Sequence, residues 1–119
     1  MDSLNLDRIN DQEYFISYQE SSNPSVMFTL DINIVNGIEY AELYINAKGS
    51  GLRLFEGIIS LLKQRTVEGK RVSLVFEPTT LDGWNFLRKL RNLGYEFYAS
   101  THPFQSGVNA YILDINPII

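Results

Sequence analysis

The chain predicts an α/β (α+β) domain: a mixed, mostly antiparallel sheet with two helices, in the order β-β-β-α-β-α-β-β. Three observations carry that reading. Val26 to Val35 alternates, with Val26, Phe28, Leu30, Ile32 and Ile34 on one side and Thr29, Asp31 and Asn33 on the other. That period of two marks a strand with one solvated face. Asn36-Gly37 then signals a tight hairpin, which returns as Ile38 to Ile45. After Gly49 and Gly51 the period changes to that of a helix, and a strand follows. Strand, helix and strand in succession imply a parallel crossover inside the sheet.

The remaining elements follow the same logic. Tyr14 to Tyr18 reads as a short strand of aromatic and branched residues, closed by the turn Ser21-Ser22-Asn23-Pro24. Leu52, Phe55, Ile58, Ile59 and Leu62 share a helix face within Leu52 to Glu68, and Gly69 is a natural stop. Arg71 to Phe76 is a short apolar strand. Pro78-Thr79-Thr80 leads into a helix over Leu81 to Leu93, with Leu81, Trp84, Leu87, Leu90 and Leu93 as its apolar set. Gly94 ends it. Tyr95 to Thr101 and Ala110 to Ile115 read as the last two strands, joined by a polar loop from His102 to Gly107.

A length of 119 residues suits one domain, 1–119, with residues 1–12 expected to be flexible or loosely packed. Hydrophobic residues at 45% allow a real core. The apolar runs are too short and too often broken by charge to span a bilayer, and Met1 to Asn10 lacks the pattern of a signal peptide. A cytoplasmic location is expected. With no cysteine, disulfides, thiolate catalysis and zinc–thiolate sites are excluded. His102 is the sole histidine, and beside Pro103 it reads as a surface loop residue.

Charge is unevenly placed. Residues 1–47 hold eight acids and one base, Arg8, whereas residues 48–119 hold nine bases and six acids. The basic half begins at Lys48-Gly49-Ser50-Gly51. A Gly-x-Gly between strand and helix leaves backbone N–H groups bare, and the first helical turn adds unpaired donors and a positive dipole end. Such a loop suits a phosphate or pyrophosphate, and otherwise makes a plain tight turn. Lys63, Arg65, Lys70 and Arg71, and Arg88, Lys89 and Arg91, read as solvated helix faces and ends. The acidic total argues against a nucleic-acid partner.

Leu43-Tyr44-Ile45, Lys48-Gly49-Ser50-Gly51, the helix after them, Val72 to Pro78, and Leu93-Gly94-Tyr95-Glu96 form an ordered set. In that order they resemble the GNAT (Gcn5-related N-acetyltransferase) superfamily, over roughly residues 26–116. The resemblance implies acetyl-CoA or another acyl-CoA as co-substrate, no metal, and direct attack of an amine on the thioester. It implies a pyrophosphate cradle of Gly49, Ser50, Gly51, Leu52 and Arg53, with Lys48 beside it. It implies Tyr44 and Ile45 next to the thioester, where neighbouring strands splay apart. Glu42 is the general-base candidate and Tyr111 the candidate acid. The family pattern has Arg or Gln where Asn46 stands, and a tyrosine late in the second helix, where this chain reads Phe86-Leu87-Arg88-Lys89-Leu90. Those departures support the alternatives: a non-catalytic GNAT-like module that binds a protein partner, or a STAS-like regulatory domain. Exposed edge strands and Pro117-Ile118-Ile119 lead us to expect a homodimer.

Overall fold

The computed structural model describes residues 3–47 and 49–115. Lys48 and the Pro117-Ile118-Ile119 tail therefore lie outside the described residues. Among the described residues nine elements form: β1 (Ser3–Arg8), β2 (Glu13–Gln19), β3 (Met27–Val35), β4 (Ile38–Asn46), α1 (Gly51–Val67), β5 (Arg71–Phe76), α2 (Leu81–Asn92), β6 (Tyr98–Thr101) and β7 (Asn109–Ile115). From β2 onward this is the expected order. The addition is β1, which lies in the segment expected to be loose and pairs along its whole length with β2.

One sheet of seven strands results, in the order β1-β2-β3-β4-β5-β7-β6. Among the described strands only β4 and β5 run parallel, joined by α1 as crossover. The β3–β4 hairpin pairs Val35 with Ile38 around Asn36-Gly37. Both turn residues have positive φ, 53° and 79°, as a type I′ turn demands.

Both helices pack on one face. Phe55, Ile58 and Leu62 of α1 and Leu87 and Leu90 of α2 share a core with Leu30, Leu43 and Leu74 of the sheet. Phe55 is fully buried and meets the rings of Phe86, Tyr95 and Phe97. The buried stripe of α2 is narrower than its apolar spacing suggests. Leu81, Trp84 and Leu93 are exposed, because the helix turns Phe86, Leu87 and Leu90 inward. Tyr95 to Phe97 is irregular rather than strand, leaving β6 only four residues.

The sheet's opposite face carries no helix among the described residues. Register assigns to it Asp7, Phe15, Asp31, Glu42, Val75, Ile112 and Tyr98 as one continuous cross-strand row. Glu13, Asn33, Tyr40, Ser73 and Asp114 form the next row. This open face is acidic, with Arg71 as its only base among the described residues.

On the helix side, Glu39 joins α1 to the sheet. Its carboxylate accepts from Arg65 Nε at 2.8 Å and from the Tyr14 hydroxyl at 3.1 Å, and Arg65 also contacts that hydroxyl. Burial alone would raise the Glu39 carboxyl, but bonding and charge from Arg65 outweigh it and hold it below the ordinary range. A lowered folded pKa contributes stability above the unfolded value, lost as pH falls through the folded one. Denaturant unfolding should therefore show Glu39→Gln less stable than the parent at neutral pH. That gap should narrow as pH falls below the ordinary carboxylate range and Glu39 takes up its proton. A gap independent of pH would show that the charge of Glu39 is not what matters.

No described helix is long and apolar enough to cross a membrane.

Candidate functional site

Parallel pairing of β4 and β5 runs from Ile38 and Arg71 to Glu42 and Val75 and then stops. β4 continues to Asn46 and β5 to Phe76, so the two strands part with their backbones facing. A cleft of about 630 Å³ fills the gap. Leu43 to Ala47 form one wall and Phe76, Glu77 and Pro78 the other. The first turns of both helices close its end, through Gly51 and Leu52 of α1 and through Thr80, Asp82 and Gly83 of α2. Phe86 and Lys89 of α2 complete the lining.

Local sequence explains the end of the cleft. Ser50 N–H donates to the Ala47 carbonyl at 2.6 Å, closing a four-residue turn with Gly49 in third place at φ 91°. Glycine adopts that conformation without the Cβ clash other residues meet. Gly51 has a different reason. A Cβ there would lie 3.1 Å from Phe86 Cε1, so the missing side chain lets α1 begin against α2. Ser50 caps α1 with no side-chain bond, and the first intrahelical bond is Leu54 N–H to the Ser50 carbonyl. The N–H groups of Gly51, Leu52 and Arg53 thus have no acceptor within the helix. At α2 the Thr80 hydroxyl accepts from Gly83 N–H, so that end is partly satisfied.

The expected site residues divide. Tyr44, Ile45, Gly49, Gly51 and Leu52 all line the cleft, and Ser50 lies in the turn between them. Arg53 is turned away: its guanidinium pairs with Glu20 at 2.6 Å over an apolar groove on the other side of α1. Tyr111 is also elsewhere, packed under α2 between Trp84 and the guanidinium of Arg91.

Glu42 does not border the cleft and is 1% exposed. The β6–β7 loop folds over it. His102 Nε2 lies 3.1 Å from Glu42 Oε2, and Gln105 Nε2 donates to Oε1 at 3.3 Å. The His102 approach is close but off the N–H axis, so it makes no directed hydrogen bond. Nδ1 accepts from Phe104 N–H, which leaves the ring proton of neutral His102 on Nε2, facing Glu42. His102 is thus buried rather than a surface residue. Nothing within residues 101–107 signals this, because the partner lies 60 positions away in sequence. The contributions of Phe86 and Lys89 to the cleft were equally hidden.

Two further groups are perturbed here. The Tyr44 phenol is pushed up to about 12 by burial and by the neighbouring Glu42 carboxylate. Asp31, directly opposite Glu42, is raised by burial and by Glu13 and Glu42. Among the described residues, no three metal-ligating side chains come together. Comparison of the chain with family models, curated proteins and solved structures gave no match.

Proposed function

We propose that the protein binds acetyl-CoA or another acyl-CoA in the β4–β5 cleft and transfers the acyl group to an amine. The observation that carries this reading is that β4–β5 pairing stops after Glu42 and Val75 and that the cleft left between the strands runs to the first turn of α1. A long, thin ligand can enter between the strands while its phosphates meet the unpaired N–H groups of Gly51 and Leu52. Lys89 adds a positive side chain on the facing wall.

In the proposed reaction the acceptor gives up its ammonium proton to water, and the free amine nitrogen attacks the thioester carbonyl carbon. The C–S bond breaks, coenzyme A leaves as thiolate, and the second proton lost by the nitrogen also passes to water. Tyr44 lines the cleft, and its phenol, pushed up to about 12, keeps its proton and can donate a hydrogen bond to the departing thiolate, which takes its proton from water. Glu42 and Tyr111 take no direct part. The acidic open face beside Tyr44 favours an acceptor that arrives as an ammonium ion.

Isothermal titration of the purified protein with acetyl-CoA tests the reading, and absence of binding would sink it. Lys89→Glu should weaken binding about tenfold, as attraction becomes repulsion across the cleft, and the loss should shrink at high salt. A second reading, a non-catalytic partner-binding module on this fold, is favoured by the removal of both catalytic candidates from the cleft. Binding without acyl transfer to any amine would select it.

A further inference from the structure

Among the described residues the sheet ends on two open edges of unequal kind. β6 offers four residues, whereas β1 offers six. β1 pairs with β2 residue for residue, without a bulge, and contains neither proline nor lysine. It therefore lacks three guards against edge pairing, a proline, a lysine and a bulge, and its charges, Asp7 and Arg8, sit together at its C-terminal end. Leu4 and Leu6, on its helix side, are 57% and 59% exposed. Leu4 lines an apolar groove of about 390 Å³ with Tyr18, Phe28, Leu54 and Leu61, and Leu6 follows it on the same face of β1.

We propose that β1 pairs antiparallel with β1 of a second copy, about a two-fold axis at Asn5, joining two sheets into one. The register follows from physical constraints. Directly opposed antiparallel residues share both hydrogen-bonding phase and sheet face, so an axis must pass through a residue and not between two. An axis at Asn5 sets Leu4 against the partner's Leu6 and Leu6 against the partner's Leu4. All four leucines then close over the two apolar grooves. An axis at Leu6 would leave Leu4 opposite the partner's Arg8. With the axis at Asn5, the two Asp7 residues stand four positions apart, about 14 Å along the strands. The acidic open face opposes itself in any face-to-face pairing of identical copies, so edge pairing is the arrangement that charge permits.

Light scattering on the eluting protein should give twice the 13.6 kDa chain mass, and Leu6→Lys should return it to the single-chain mass. Because the chain has no cysteine, introduced ones report the register directly. Asn5→Cys should cross-link copies on mild oxidation, since residues at the axis lie within disulfide reach. Asp7→Cys should not. These positions are exposed, and circular dichroism checks that each variant folds. A parent that stays monomeric overturns the proposal. So does a dimer that survives Leu6→Lys, or cross-linking through Asp7→Cys instead of Asn5→Cys. None of these results depends on coenzyme binding.

Discussion

Ser50→Asp should abolish measurable acetyl-CoA binding while leaving the protein as stable as the parent, or slightly more so. Ser50 precedes the first turn of α1 and makes no capping bond through its side chain. Its backbone, at φ −103° and ψ 9°, departs from the extended geometry in which a cap side chain reaches forward. The N–H groups of the first turn are thus left to a ligand. A carboxylate at this position places negative charge at the positive end of the helix, which contributes about 0.3–1 kcal/mol. The same charge repels a pyrophosphate, so a loss of at least about 100-fold in affinity, or roughly 2.7 kcal/mol, is expected. Stability and binding then move in opposite directions, which a damaged fold cannot imitate. Calorimetry beside thermal unfolding reads both. Unchanged affinity in Ser50→Asp would place any coenzyme elsewhere. Gly51 is the poorer position to alter, because a side chain there meets Phe86 before it meets a ligand.

His102→Leu should lower stability by about 3 kcal/mol, by removing one partner of a buried polar pair. The imidazole is fully enclosed, and Glu42 would be left with Gln105, at a long 3.3 Å, and the Tyr44 phenol as polar neighbours. Asp31 directly across the β3–β4 ladder adds to the cost, since like charges opposite one another repel. Glu42→Leu should also destabilise, by removing the carboxylate that faces Nε2 at 3.1 Å and accepts from Gln105. The double variant should cost less than His102→Leu alone, because apolar residues of similar size often replace a buried pair at little cost. Urea unfolding of the four proteins gives the coupling. Simple additivity would mean that the pair does not act as a unit. Because His102 anchors the β6–β7 loop to β4, the singles should also loosen that loop, which hydrogen exchange at residues 102–108 would register.

Elements set by local chemistry were legible from sequence. The β3–β4 hairpin needed only alternation and Asn36-Gly37, and β5 needed only a short apolar run before Pro78. The body of α1 was readable because Leu52, Phe55, Ile58, Ile59 and Leu62 repeat at helical spacing. β1 was not, since Ser3 to Arg8 is polar and carries only two apolar residues. Its strand conformation comes from the backbone bonds that β2 offers it. The exposed Trp84 and Leu93 mislead for a related reason: spacing reports which residues share a helix face, but the sheet decides which face is covered.

The turn at Gly49 and the bare donors at the start of α1 were determined by sequence alone, because both depend on residues adjacent in the chain. The cleft was not, since it arises where β4 and β5 cease to pair and where α2 brings Phe86 and Lys89 across. Tertiary structure alone buried Glu42 against His102, turned Arg53 to Glu20, and carried Tyr111 beneath α2. Charges and rings of this kind find partners far along the chain, and only the packed sheet sets which partners come within reach.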